Sequence, residues 1–327
     1  PPPPLFTDTP TTDIYTLIAS SAASDVYKRQ GAPKSGTTAI AHYLNQHPDI
    51  FIPEAKDSHF FGSDLHFLNN ITHPPNLFRV RKKTYLSWYS GRREKRLGEA
   101  SVLYLYSRRA ATEIKDFNPD ANVIIMMRNP VDMIYSLHGH FLADLNEDIE
   151  DFGDALSAEE DRKRGEKIPD TVYSIDGLFY RDVAKYSEQV ERYFGVFGHD
   201  KVHIIIFDDL KNSTAEIYRG TLRFLGVSDD FQPDFQVVNP AKQLRSRRLQ
   251  RLIISPPRIF MPLGQKLARL LWLSRLVKTT LFSFNVKHER RPPMDPGTRV
   301  QLLEEFAPEI ERLGRLLGRN LGNWRTN

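Results

Sequence analysis

The sequence predicts an α/β fold in which a central parallel sheet lies between layers of helices. Three observations carry that prediction. A loop bracketed by glycines, residues 31–38, opens directly into an apolar-periodic stretch over 39–44. Two apolar runs rich in β-branched residues, Val123–Met127 and 202–207, read as strands buried on both faces of a sheet. Helical spacing precedes the second run over 179–194 and follows it over 215–225, closed by Gly226. That alternation is the signature of a parallel sheet with covering helices.

The composition sets bounds on function. The chain has 327 residues, long enough for one large α/β domain or two smaller ones, and 40% of them are hydrophobic, enough for a sizeable core. Its net charge of +4 suits anionic ligands and is far from what a nucleic-acid-binding protein needs, so no nucleic-acid partner is expected. The absence of cysteine excludes disulfides and thiolate metal sites and fits a reducing compartment. No run of about 20 apolar residues occurs, so no transmembrane helix is expected. A cytoplasmic, soluble protein is the expectation.

Residues 1–30 read as a non-native or disordered segment. They begin with four prolines and end in Asp25-Val26-Tyr27-Lys28-Arg29-Gln30, poor material for the buried strand expected just before the loop. The apolar run Ile14-Tyr15-Thr16-Leu17-Ile18 ends too early to feed Gly31 directly. The first central strand is therefore expected to be missing, and the domain is expected to cover 31–327. The loop itself is Gly31-Ala32-Pro33-Lys34-Ser35-Gly36-Thr37-Thr38. Backbone N–H groups at such a loop and helix start converge on an anion, and the helix dipole adds to the attraction. It resembles the nucleotide-binding P-loop G-x4-G-K-[ST], except that Thr37 stands at the lysine position and the lysine comes earlier, as Lys34. Phosphate binding survives that change; hydrolysis of ATP or GTP is disfavoured.

Pro33-Lys34-Ser35-Gly36-Thr37-Thr38 resembles the 5′-phosphosulfate loop of sulfotransferases that use 3′-phosphoadenosine 5′-phosphosulfate. The second half of that signature, a strand ending in arginine with a serine about eight residues on, is matched by Val123–Met127, Arg128 and Ser136. The similarity is greatest to the sulfotransferase domain of heparan sulfate-modifying enzymes and their bacterial relatives. It implies a P-loop-like three-layer fold, with Pro33, Lys34, Ser35, Gly36, Thr37 and Thr38 on the 5′-phosphosulfate. Arg128 and Ser136 then hold the 3′-phosphate by a forked contact and a hydroxyl hydrogen bond. Arg128 stands at a strand's carboxyl end, where open α/β sheets bind ligands.

Between the two motifs, His47-Pro48 ends the first helix and 49–53 starts a short extended segment. Lys56-Asp57-Ser58-His59-Phe60-Phe61 follows. In the heparan sulfate enzymes a glutamate two residues before the H-F-F-like triplet is the proposed base, which implies Asp57 here and leaves His59 as a reserve. Lys56 is either a ligand contact or an exposed side chain. Sulfuryl transfer needs such a group to take the acceptor's proton, and Lys34 with the loop N–H groups to steady charge on the leaving phosphate. Residues 79–97 interleave eight basic side chains with Tyr85, Trp88 and Tyr89, either a wall for an acidic sugar chain or an amphipathic helix with a solvated face. Gly98-Glu99-Ala100-Ser101-Val102-Leu103-Tyr104-Leu105 resembles the family's acceptor-cleft segment, with Glu99 as a candidate acceptor-site residue.

Residues 144–170, crowded with charge, read as a mobile insertion, an exposed helical segment or a lid. His138 and His140 lack a third partner at metal spacing and are read as structural or acceptor-facing. Residues 242–291 are the most basic part, and 263–284 within them read as a packed, lid-forming or interfacial helix, which leaves peripheral membrane contact open. The resemblance places Lys287 and Arg290 in a basic loop that closes over the nucleotide. Asp295-Pro296-Gly297-Thr298 opens a final helix to Leu317.

The expected activity is sulfuryl transfer from 3′-phosphoadenosine 5′-phosphosulfate to a hydroxyl or amine, with a carbohydrate as the favoured acceptor and no metal. The alternatives are a nucleotide-dependent kinase and a non-catalytic nucleotide-binding remnant.

Overall fold

The computed structural model describes residues 13–19, 35–53, 58–67, 79–236, 243–246, 249, 284–287 and 291–326. Among these, β1 (Asp13–Ala19), β2 (Ile50–Phe51), β3 (Arg96–Ser101), β4 (Val123–Met127) and β5 (Val202–Ile206) form one sheet in the order β2-β3-β1-β4-β5. Every pairing in it is parallel. The strand expected to be missing is present: β1 is the middle strand, with Leu17 opposite Ala100 of β3 on one side and Ile124 of β4 on the other. The apolar run 14–18 thus serves without abutting the loop, because 20–30 intervene between Ala19 and Gly31. Chain order reverses direction at β1, since β2 and β3 lie to one side and β4 and β5 to the other. That makes the carboxyl ends of β1 and β4 the switch point where open sheets take ligands.

The unbroken apolar run of β4 is split between two cores. Val123, Ile125 and Met127 face one, Ile124 and Met126 the other, and all five are buried. Each such side chain contributes about 1.5–3 kcal/mol relative to exposure. On one face, helix Thr37–Leu44 brings Ile40 and Leu44 against Tyr218 and Leu222 of helix Thr214–Leu225, which ends on the left-handed Gly226. On the other, helix Pro130–Ala143, helix Tyr186–Phe197 and the C-terminal helix Pro296–Leu317 pack Leu137, Tyr193, Phe306 and Ile310 into the larger core. The helical spacing of 179–194 resolves into two helices, Tyr180–Val183 and Tyr186–Phe197.

Residues 144–170 are not an exposed insertion. Glu147 and Arg162 are fully buried and paired at 2.7 Å, and Glu147 also accepts from Tyr180 Oη at 2.8 Å and from the N–H groups of Asp148 and Ile149. Phe152, Ala155 and Leu156 of helix Phe152–Ser157 enter the main core. The charged composition conceals an internal ion pair. Tyr85 and Tyr89 likewise turn into the core, so the aromatics of 79–97 are structural, whereas Arg81, Lys82, Lys83, Arg92 and Arg93 stay exposed. Residues 263–283 lie outside the described residues.

Candidate functional site

The loop reaches its helix through a left-handed glycine. Gly36 sits at φ 84° and ψ 6° as the residue before helix Thr37–Leu44. A Cβ there would lie 2.9 Å from Leu210 Cδ2, 3.1 Å from Phe207 Cδ2 and 3.3 Å from Met126 Cε. Both the backbone angle and the crowding therefore require glycine. The helical ladder begins with Ile40 N–H donating to Gly36 O at 3.0 Å, which leaves the earlier N–H groups outside it. Ser35, Thr37 and Thr38 are buried, and the hydroxyl oxygens of Thr37 and Thr38 have no hydrogen-bond partner among the described residues. Buried hydroxyls left unmatched are costly, and an anion at the helix start would satisfy them. These residues fit a phosphate.

The second motif meets the first on one aromatic ring. Phe207 directly follows β5, fills space that a Gly36 side chain would need, and carries the Arg128 guanidinium 5.1 Å from its ring centre. Arg128 extends from the carboxyl end of β4, and its Nη2 lies 3.6 Å from Asp132 Oδ2. Asn129 turns the chain: its side chain accepts from Val131 N–H at 3.0 Å, and Pro130 occupies the first helical position. Ser136 lies one turn beyond Asp132 on the same side of that helix, partly buried. The C-terminus clasps this arrangement. Trp324, buried, accepts from Asn129 Nδ2 at its carbonyl and donates from Nε1 to Asp208 Oδ2 at 3.0 Å, and Arg319 grips Asp209 with both terminal nitrogens. The residues beside Arg128 and beside Phe207 are thus tied to one segment.

Across the sheet, Glu99 of β3 forms a buried shelf. Ser58 Oγ donates to Glu99 Oε2 at 2.7 Å and lies 3.0 Å from Tyr104 Oη, which also accepts from Phe61 N–H at 3.1 Å. Burial and the Glu99 charge raise the phenols of Tyr85, Tyr89 and Tyr104, so all three stay protonated. Next to Ser58, His59 is fully buried at φ 43° against Phe67, with neither ring nitrogen hydrogen-bonded among the described residues. Burial, assisted by the Arg79 charge, lowers its pKa to about 3. A group so reluctant to take a proton is unsuited as a reserve base at neutral pH. His59 belongs to the shelf.

Pro33, Lys34, Asp57 and Arg290 lie outside the described residues, as does the side chain of Lys287, whose backbone in β7 (Val286–Lys287) pairs antiparallel with β6 (Gln243–Leu244). Ser35, Gly36, Thr37 and Thr38 lie together at the helix start, and Gly36 and Arg128 flank the same Phe207 ring, whereas His59 packs against Phe67 beside Ser58. Arg291, one residue beyond Arg290, is bound to helix Pro130–Ala143. It crosses Gly139, where a Cβ would lie 3.1 Å from its Cδ, donates to Tyr135 O at 2.7 Å and to His138 Nδ1 at 2.8 Å, and stacks 3.8 Å above the Tyr135 ring. His138 Nε2 donates to Ile149 O at 2.9 Å, so the ring is neutral, consistent with a pKa lowered to about 4, chiefly by burial. His138 is structural. Phe207, Asp132 and Trp324 escaped sequence reasoning; the phenylalanine ending an apolar strand run was the available signal for the first. Among the described residues no cluster of three or more His, Cys, Asp or Glu is placed to hold a metal ion, and no helix is long and apolar enough to cross a membrane.

Comparison with known proteins agrees with this geometry. The family model for the sulfotransferase domain matches residues 30–244. The crystal structure of a sulfotransferase from Alicyclobacillus acidocaldarius is 30% identical and superposes with a TM-score of 0.68 over 95% of this chain and 98% of that one. A membrane-associated sulfotransferase, kil1, of Dictyostelium discoideum is 29% identical over 111 residues, 34% of this chain and 21% of that protein, so the match spans about a fifth of the relative's length. With the family model covering most of the chain and a similar structure covering nearly all of it, this protein belongs to the sulfotransferase family that uses 3′-phosphoadenosine 5′-phosphosulfate.

Proposed function

We propose that this protein transfers the sulfuryl group of 3′-phosphoadenosine 5′-phosphosulfate to a hydroxyl or amine, with a carbohydrate as acceptor. The observation that carries the reading is the meeting of Gly36 and Arg128 on Phe207, beside the unmatched hydroxyls of Thr37 and Thr38. In this reading Pro33, Ser35, Gly36, Thr37 and Thr38 hold the 5′-phosphosulfate, while Arg128 and Ser136 hold the 3′-phosphate. Lys287 and Arg290 close the site from the C-terminal side. The acceptor oxygen or nitrogen forms a bond to sulfur as the bond from sulfur to the bridging phosphate oxygen breaks. The electron pair leaves with the 5′-phosphate, where Lys34 and the loop N–H groups counter it. The acceptor's proton goes to Asp57, next in the chain to the Ser58 that Glu99 anchors. The exposed Arg81, Lys82 and Lys83 support an anionic sugar chain as acceptor.

Calorimetric binding of 3′-phosphoadenosine 5′-phosphate, with ATP alongside, tests the donor site. We expect a preference for the 3′-phosphorylated nucleotide that Arg128→Ala lowers about tenfold to hundredfold, the range for a lost hydrogen bond to a charged group. A folded protein that binds neither nucleotide would overturn the reading.

A further inference from the structure

The last paired positions of β4 and β5 are Met127 and Ile206, and the two chains leave the ladder in step. Arg128 and Phe207 come first, with the guanidinium 5.1 Å from the ring centre, and Asn129 and Asp208 come next. One residue bridges that second step. Trp324, only 1% exposed, accepts from Asn129 Nδ2 at its carbonyl at 2.9 Å and donates from Nε1 to Asp208 Oδ2 at 3.0 Å. Its own N–H donates to Leu321 O at 2.9 Å, and Arg319 of the same segment holds Asp209 through both terminal nitrogens. Asn129 is committed on its other side as well, because its Oδ1 accepts from Val131 N–H at 3.0 Å. Arg128 and Phe207 are therefore held between the strand ladder behind them and a single tryptophan in front.

We propose that Trp324 is a positioning residue of the donor site, which favours a 3′-phosphate by fixing Arg128 against Phe207. The inference rests on the donor site proposed above and adds to it a buried group that itself touches no ligand. A long side chain on an untethered strand end loses freedom on binding, and a forked guanidinium contact tolerates little error in direction. A tryptophan that reaches both strand ends supplies the constraint before the ligand arrives. Two features separate this role from packing alone. Burial of an indole asks only for a partner to its N–H, whereas Trp324 also takes the side-chain amide of the residue that turns the chain after Arg128. Its two partners stand at the same step beyond the ladder, so losing it frees Arg128 and Phe207 to move independently of each other.

The test is calorimetric binding of 3′-phosphoadenosine 5′-phosphate and of adenosine 5′-phosphate to the full chain and its variants, read as the ratio of the two affinities. Trp324→Phe keeps an aromatic ring in the core but offers Asp208 no N–H. It should lower the ratio about tenfold, within the range for a displaced binding group. Asp208→Ala breaks the same hydrogen bond from the other side and should lower the ratio likewise. Asp208→Asn, which keeps an acceptor oxygen for the indole, should hold the ratio within about twofold of wild type. In an Arg128→Ala background Trp324→Phe should change the ratio by less than about twofold, because the two substitutions remove one interaction. Equal losses for both nucleotides in Trp324→Phe would make Trp324 a merely structural residue and overturn the proposal, as would an undiminished effect in the Arg128→Ala background. Should Trp324→Phe not fold, Asp208→Ala beside Asp208→Asn decides the matter: an unchanged ratio in the alanine variant overturns the proposal. A wild-type protein without preference for the 3′-phosphate would instead refute the donor site itself, and the role of Trp324 with it.

Discussion

Two arginine–carboxylate groupings in this chain behave oppositely in the fold. Arg162 and Glu147 are closed off from water, 2.7 Å apart, with the carboxylate also held by Tyr180 and two backbone N–H groups. Arg128 and Arg299 share Asp132 at the open end of the sheet, a quarter to a third exposed, and the Arg128 contact is 3.6 Å long. The first has no approach for a ligand and fixes where 144–170 pack. The second holds two cations in register at a solvent boundary. A charge pair can serve a ligand only where its partner can be exchanged for one, and burial decides that.

The largest effect should come from breaking the closed pair. Glu147→Gln leaves the Arg162 guanidinium buried opposite a neutral amide, and removing one partner of a buried ion pair costs about 3–5 kcal/mol. Urea denaturation would show this as a lower midpoint with little change in slope. Replacing both residues, Glu147→Gln with Arg162→Met, should recover most of the loss, because no charge is left buried and the amide oxygen still accepts from Tyr180 and the backbone. A loss under about 1 kcal/mol for Glu147→Gln would mean that water reaches the pair and that the contrast with Asp132 is false.

His59 sharpens the same contrast, because it is buried without a hydrogen-bond partner among the described residues. The folded chain holds its pKa down at about 3, against about 6.5 unfolded. Between those values the unfolded state carries the extra proton. Stability is therefore fully present above about pH 6.5 and falls as pH drops toward 3, by at most about 1.4 kcal/mol per pH unit from this group. His59→Asn tolerates the left-handed φ of 43° and does not titrate. Its denaturation midpoint should decline less steeply than the wild type's between pH 6.5 and 4.5, where His138 still titrates in both. Parallel declines would mean that His59 is solvated in the native state.

Much of this arrangement was legible in the sequence, and the physical reasons divide cleanly. Val123–Met127 could be read as a buried strand because five consecutive apolar residues have no other economical place, and Arg128 at its end followed from the sheet's polarity. Gly36 could be read because a turn into a helix start leaves few choices. β1 was not legible because no apolar run abuts the loop, whereas strand pairing needs only an apolar run that reaches the sheet. The Glu147–Arg162 pair and the Arg299–Asp132 contact were hidden for another reason. Each joins residues whose proximity is set by tertiary packing, across 15 and 167 positions, and no local pattern records such a meeting. Arg291 illustrates the same limit: it is committed to His138 and Tyr135 across Gly139, where a Cβ would lie 3.1 Å from its Cδ.

The smallest effect should come from a pair whose distance gives no warning of its weakness. Arg312 Nη2 and Glu191 Oε2 are 2.8 Å apart, almost the Arg162–Glu147 distance, but the two side chains are 47% and 61% exposed. Water and salt screen that attraction, and holding two long side chains in one geometry costs rotamer freedom. Arg312→Ala should change the urea-derived stability by less than about 1 kcal/mol, and part of that should vanish as salt rises from 0.05 to about 1 M. A loss comparable with that of Glu147→Gln would make contact distance, and not burial, the quantity that ranks these pairs. The solvent exposure of the Asp132 grouping would then no longer set it apart from the closed Glu147–Arg162 pair.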